Sequence, residues 1–180
     1  MRINSYASTG QAIQAPFTFY YVRDNDWSDS HSYQFWNKNF TAAASVNNTA
    51  TLKTIYSPSP PGFVEPKTAA FTGFTSSGNN SSNASEFNIA GNFLEGWNFY
   101  TNGWKSGSTI FFSAFGFRDT YSGRTTGTGA LAYVKEGGGY WSAGAYSALL
   151  GRYLDFYSGL VYPQNTLRRS SGFTVRPVTE

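Results

Sequence analysis

The chain has 180 residues, enough for one domain with a sizeable core. Aromatic residues make up 19% and charged residues 13%, about half the usual charged share of roughly 25%, so the chain is globular, not disordered, and relies on Ser, Thr, Asn and Gly for solubility. The net charge of +3 is scattered, with Arg168-Arg169 the only adjacent basic pair, which argues against a phosphate-tracking groove and so against nucleic acid as a partner.

Met1-Arg2-Ile3-Asn4-Ser5 has no apolar run behind its basic residue, so no secretory signal is expected. No stretch approaches the roughly twenty apolar residues of a membrane helix, so membrane insertion is not expected. Residues 1–55 mix extended aromatic pieces, such as Phe17-Thr18-Phe19-Tyr20-Tyr21-Val22, with polar turns such as Asp24-Asn25-Asp26. In Tyr56-Ser57-Pro58-Ser59-Pro60-Pro61-Gly62-Phe63 three prolines cannot donate to a ladder, and the segment reads as a rigid turn into Phe63-Val64. The best helical window, Pro66 to Phe74, is short. Ser76 to Ser85 is a polar low-complexity loop. Strand-like runs follow at Trp97 to Tyr100 and Ser108 to Phe117, and the glycine runs Gly123 to Gly129 and Gly137 to Gly139 read as turns separating the last strands. At the C-terminal end Leu154 and Phe156 alternate with Tyr153, Asp155 and Tyr157, and Phe173 and Val175 with Thr174 and Arg176, the pattern of strands buried on one side. The expected fold is β- and loop-rich with one or two short helices.

Little in the chain points to catalysis or metal binding. No cysteine is present, which removes thiol catalysis, disulfides and thiolate zinc, and a lone His31 removes a multi-histidine metal site. Asp24, Asp26, Ser28 and Asp29 resemble the start of a calcium loop, but Asp29 replaces its glycine and Phe35 its bidentate glutamate. An acidic turn is the better reading. Ser, His and carboxylates lack a Gly-x-Ser-x-Gly turn, and His31 sits among polar residues, so no enzyme activity and no cofactor are expected. The sequons at Asn39, Asn47, Asn80 and Asn83 are what a chain rich in Asn, Ser and Thr produces by chance, and the glycine runs lack a phosphate loop's Lys-Ser/Thr ending. The tyrosines at 140, 146, 153, 157 and 162 remain. Tyr140, beside Trp141, reads as core; the others alternate against Leu154, Phe156 and Val161 and offer large rings with hydroxyls, the currency of binding surfaces. Arg152 and Arg168 could join them as planar donors.

Several motifs follow in one order: Tyr56 through Pro66, Ile110-Phe111-Phe112 leading to Gly116-Phe117-Arg118-Asp119, Gly139-Tyr140-Trp141-Ser142-Ala143, Leu154-Asp155-Phe156, Pro163-Gln164-Asn165, and Arg169-x-x-Gly172-Phe173-x-Val175-Arg176. From about residue 50 to the end this resembles the Fibrobacter succinogenes major paralogous domain, common in Bacteroidetes and their phages. The resemblance implies an α+β, C-type-lectin-like fold over residues 56–180, with the binding face in 140–171 and residues 1–55 as a β-rich N-terminal extension packed on the same domain. It extends to the variable proteins of diversity-generating retroelements, in which a fixed framework holds a variable ligand-binding face.

In this sequence the resemblance implies a framework of Tyr140, Trp141, Ser142, Leu154, Phe156, Ser158, Pro163, Arg169, Gly172, Phe173, Val175 and Arg176. The implied ligand-binding residues are Tyr146, Leu150, Arg152, Tyr153, Asp155, Tyr157, Leu160, Tyr162, Thr166, Leu167, Arg168 and Ser170, with Gly144 and Ser171 in the wider variable set. Two departures matter. Relatives often carry cysteine where Ser59 and about Pro177 stand here, and the calcium-lectin motifs Glu-Pro-Asn and Trp-Asn-Asp are missing, so calcium-dependent sugar binding is not implied. Missing cysteines suit assembly in a reducing cytoplasm. The expected partner is a host or partner surface protein or glycan, met by a phage tail tip or a cell-surface adhesin, with a homo-oligomer possible. The rival is a structural subunit of a fimbria or virion whose aromatic face is buried in assembly. Randomising the two adenines of an Asn codon ending in a pyrimidine never yields Lys, Glu, Met, Trp or Gln. Between Ala143 and Thr179 only Gln164, in the framework part, belongs to that group.

Overall fold

The computed structural model describes residues 1–15, 17–21, 26–40, 46, 48–118 and 129–180, without the side chain of Arg2. The described residues are β-rich, with one short α-helix and several small sheets among them. Strand β1 (Arg2–Asn4) pairs in parallel with β2 (Phe19–Tyr21) across helix α1 (Thr9–Gln14). The helix is only six residues long and buries none of them, but its start is a capping box. The Ser8 hydroxyl accepts from the Gln11 amide at 3.3 Å, and the Gln11 side chain accepts from the Ser8 amide at 2.8 Å.

The proline turn leads into β3 (Phe63–Val64) and is stitched from inside. The hydroxyls of Ser57 and Ser59 donate to Glu65 Oε1 at 2.7 and 2.8 Å, and Lys53 Nζ donates to the carbonyls of Ser59, Pro60 and Phe63. The expected helix at Pro66 to Phe74 is a run of turns ending in a single 3-10 turn, Thr72–Phe74. Pro66, Gly73 and two β-branched threonines make this a poor α-helix, and a 3-10 turn suffices to point Phe71 and Phe74 into the core. After the polar loop come β4 (Ile89–Ala90), β5 (Gly96–Tyr100) and β6 (Thr109–Ser113), which form one antiparallel sheet. Strands β7 (Phe117–Arg118) and β8 (Leu131–Ala132) pair with each other. Of the Gly123 to Gly129 run only Gly129 lies within the described residues.

The centrepiece is a four-stranded sheet built from β9 (Gly137–Ala145), β10 (Leu150–Tyr157), β11 (Leu160–Arg168) and β12 (Thr174–Val175), in the order β11-β10-β9-β12. Its first three strands are antiparallel neighbours and β12 runs parallel to β9. Strand β13 (Val178–Thr179) returns to pair with β3. Gly137, Gly138 and Gly139 are not turn glycines; they open β9. A Cβ there would come within 2.5 Å of the Tyr157 ring, 2.2 Å of Phe156 and 2.0 Å of Phe173 respectively. Three aromatic rings occupy the space where β9 side chains would stand, one reason for glycine inside a strand.

Between this sheet and β5–β6 lies the main core. Tyr140, Leu154, Phe156 and Val161 meet Phe71, Phe74, Phe87, Trp97, Phe99 and Phe112. Phe74 stacks on Phe99 at 4.0 Å, and Phe112, Phe156 and Tyr140 present edges or faces around them. Burying such a ring is worth about 3–5 kcal/mol against alanine. Trp97 Nε1 ties the two sheets together by donating to the Tyr157 carbonyl at 2.9 Å. The polar loop covers the outer edge of the sheet: Ser81 exchanges both backbone hydrogen bonds with Val161, and the Asn80 side chain accepts from the Gln164 amide. This shields part of an edge strand that would otherwise invite pairing.

Candidate functional site

The β10–β11 hairpin carries most of the residues expected to bind ligand, and its register sorts them into cross-strand pairs. Tyr157 lies opposite Leu160, Asp155 opposite Tyr162, Arg152 opposite Thr166 and Leu150 opposite Arg168. Direct partners share a face of the sheet. Phe156 and Val161, the pair between the first two, point into the core, so Tyr157, Leu160, Asp155 and Tyr162 face away from it. Alternation along β10 puts Arg152 and Leu150 on the same side as Leu154. The expected residues therefore do not form one surface. They divide between the two faces of a hairpin, because the variable set came from resemblance and not from a single period-2 pattern.

On the outward face the polar groups hold one another. Asn165 Nδ2 donates to the Tyr153 hydroxyl at 3.1 Å and to Asp155 Oδ2 at 2.9 Å, while the Tyr153 hydroxyl donates to the same carboxylate oxygen at 3.2 Å. Asn165 stands opposite Tyr153 in the register and is a member the sequence reading missed. The Tyr153 ring is not open to solvent: it is 4% exposed, stacked on Phe173 at 4.4 Å with Trp141 edge-on at 5.6 Å. Asp155 and Ser170 are buried as well. Alternation correctly turns Tyr153 away from the main core, but it cannot tell solvent from a second buried layer, which here comes from Phe173, Phe117 and Tyr133. Tyr157 is half-buried, its ring filling the space above Gly137 with Tyr133 edge-on at 5.3 Å. Leu160, Tyr162 and Leu167 are half-buried and reach the surface.

The other face holds a smaller group at the start of the hairpin. Tyr146 is 40% exposed, and the Arg152 guanidinium sits 5.0 Å from its ring centre, a cation–π contact. Arg152 itself is buried, which lowers its pKa from the ordinary value. Leu150, Thr166 and Arg168 beside it are half-buried.

Beside the outward face, residues 26–36 dock on the C-terminal segment. Asp26 is fully buried, with Arg169 Nη1 at 3.5 Å and His31 Nδ1 at 3.4 Å from Oδ2. Burial raises the Asp26 carboxyl above its ordinary 3.8, and the nearby Arg169 and His31 oppose this only in part. The Arg169 guanidinium lies 5.4 Å from the Phe35 ring centre and donates to the Ser32 carbonyl at 2.6 Å. Sequence reading gave His31 and Asp26 no partner, because residues 26 and 169 are too far apart in the chain for any local pattern to join them. Next to this contact is a cavity of about 390 Å³ lined by aromatic rings of both segments, with Ser142, Gly144, Ser170 and Ser171 on its wall.

Of the calcium-like turn, Asp24 lies outside the described residues and Asp29 is exposed. Among the described residues no three His, Asp or Glu side chains converge as metal ligands. No helix among them is long and apolar enough to cross a membrane. In comparisons with known proteins, no family model, no curated protein and no solved structure matches the chain.

Proposed function

We propose that this chain is a C-type-lectin-like binding module that recognises a host or partner surface molecule without covalent chemistry, as the tip of a phage tail or as a cell-surface adhesin. The observation that carries the reading is the outward face of β10–β11, where two cross-strand pairs made wholly of expected binding positions, Asp155 with Tyr162 and Tyr157 with Leu160, adjoin the Tyr153–Asp155–Asn165 hydrogen-bond set. Buried members of that set hold still, and half-buried Tyr162 and Leu160 beside them supply apolar area and a phenol at the surface. A rigid polar shelf with amphipathic rings at its rim suits a contact surface, since little side-chain freedom is lost on binding. Behind it Leu154, Phe156 and Val161 are fully buried, so the main core does not depend on what the half-buried positions Tyr162 and Leu160 carry.

Diversification by a retroelement belongs to the same proposal. It is tested by sequencing independent natural copies of the gene with their surrounding DNA. The reading expects a nearby template repeat, with changes only at template adenines, concentrated at positions such as Tyr146, Tyr157, Leu160 and Tyr162 and sparing Tyr140, Trp141, Leu154 and Phe156. Copies that change Leu154 and Phe156 as often as Tyr157 and Tyr162 would reject retroelement diversification and leave only a lectin-like binding domain.

A further inference from the structure

Asn102-Gly103 is the only Asn-Gly pair in the chain. Asparagine is a thermolabile side chain, because the backbone nitrogen of the next residue can attack its amide carbon, and a following glycine has no Cβ to obstruct that attack. In a folded protein the reaction is decided by what the two groups are already bonded to. Both residues are exposed, in the turn between β5 and β6. Among the described residues nothing hydrogen-bonds to the Asn102 side chain, and the Gly103 amide donates to no acceptor. Asn80-Ser81, in the polar loop, differs at both groups. The Asn80 side-chain oxygen accepts from the Gln164 amide at 3.2 Å, and the Ser81 amide donates to the Val161 carbonyl at 2.9 Å.

The turn that carries Asn102 hangs on one buried side chain. Asn88, 4% exposed, donates through Nδ2 to the carbonyls of Gly73 at 2.8 Å and Gly103 at 3.0 Å, and its Oδ1 accepts from the Lys105 amide at 2.7 Å. The Thr101 amide donates to the Ser108 carbonyl at 3.0 Å and closes the base of the turn. Trp104 sits between the two Asn88 contacts and lines a cavity with Tyr100, Phe112 and Arg176. The main-chain atoms of 102 and 103 set the distance from that closed base to Asn88, so one more atom in the path pushes Gly103 and Lys105 off it.

We propose that Asn102 is a self-modification site, converting to isoaspartate and so releasing the Trp104 turn from Asn88. The Gly103 nitrogen gives its proton to hydroxide and bonds to Asn102 Cγ. The Cγ–Nδ2 bond breaks, and the nitrogen takes a proton from water and leaves as ammonia, closing a five-membered imide. Water then adds to one imide carbonyl. Opening at Cγ gives aspartate; opening at the main-chain carbonyl leaves the chain running through Cβ and Cγ, one carbon longer, with a free α-carboxylate. One water is consumed and one ammonia released, with no oxidant or reductant. The site is separate from the β10–β11 face and does not rest on its function. The test incubates the folded protein at neutral and alkaline pH and reads each asparagine by peptide mapping with electron-transfer fragmentation, which separates isoaspartate from aspartate. Isoaspartate is expected at 102 before any change at Asn80, and faster at alkaline pH. The Lys105 amide should lose hydrogen-exchange protection in the isoaspartate fraction and keep it in Asn102→Gln incubated alike, since glutamine would have to close a less favourable six-membered ring. If Asn102→Gln does not fold, Asn102→Ser takes its place. An Asn102 that stays intact, conversion of Asn80 as fast as Asn102, aspartate without isoaspartate, or unchanged Lys105 protection in the isoaspartate fraction would overturn the proposal.

Discussion

Replacing Gly138 by alanine tests the packing that makes β9 a strand instead of a turn. In an unobstructed strand the change would stabilise, since glycine costs roughly 0.5–1 kcal/mol relative to alanine. Here the new methyl would sit 2.2 Å from Phe156 Cζ and 2.6 Å from Cε1. The Phe156 ring cannot retreat: it is fully buried, with Phe99 edge-on at 5.7 Å and Tyr140 stacked at 6.1 Å. Overpacking of this kind costs about 1–3 kcal/mol, and the rigid surroundings put Gly138→Ala at the upper end. At about 2–4 °C per kcal/mol for a chain of this size, the melting temperature should fall by about 6–12 °C. Gly159→Ala, whose Cβ meets nothing within 4 Å, should stay within about 0.5 kcal/mol of the parent. Shortening the ring opposite should relieve the clash, so Gly138→Ala with Phe156→Leu should cost less than the sum of the two by more than about 1 kcal/mol. Calorimetric melting of the four variants decides the matter. A Gly138→Ala protein as stable as its parent, or strict additivity with Phe156→Leu, would refute the ring-over-glycine packing.

Asp26→Asn should change how stability depends on pH. Burial holds the Asp26 carboxyl above 3.8, so the folded protein binds that proton more tightly than the unfolded chain; the resulting stability is greatest at low pH and is lost as pH rises through the raised value. The melting-temperature advantage of the parent over Asp26→Asn should therefore shrink from pH 4 to pH 7, and an advantage that grows over this range would contradict the assignment. Tyr153→Ala should cost about 3–5 kcal/mol in denaturant unfolding, as a ring packed between Phe173 and Trp141, whereas Tyr162→Ala should change stability by less than about 1 kcal/mol. Equal costs would mean the outward face is not divided into a covered and an open part. Chelation with EDTA should leave the melting temperature unchanged, since no described cluster has metal-ligand geometry; a fall of several degrees would expose a site formed elsewhere.

The sequence carried the strand content and the inner face of the C-terminal sheet. Leu154, Phe156 and Val161 are the buried stripe their spacing predicts, and the proline turn does lead into a strand at Phe63. It misled where one residue type serves two ends. Gly137 to Gly139 have the composition of a turn, yet their lack of side chains makes room for rings placed by Tyr157, Phe156 and Phe173, which no local window contains. The 66–74 window has a helix's spacing of apolar residues, but only the Phe71 and Phe74 contacts were needed, and a 3-10 turn supplies them. The short helix at Thr9–Gln14 went unread because it has no apolar face; only Ser8 and Gln11, three apart, marked its start. For the site, alternation placed Tyr153, Asp155 and Tyr157 on one face but gave no sign that Phe173 covers part of it, nor that Asn165, Asp26 and Arg169 belong nearby. Those contacts join distant segments, and a single sequence records no such distance.

The central claim is that the open part of the β10–β11 face makes the functional contact. Its most direct test is equilibrium binding of fluorescently labelled protein to intact cells from a panel of Bacteroidetes strains, comparing the parent with Tyr162→Ala and Leu160→Ala and monitoring each protein's melting temperature. The account predicts saturable binding to at least one strain, weakened about tenfold by at least one of the two changes with folding intact. Binding that both variants retain in full, or no binding to any strain, would contradict it.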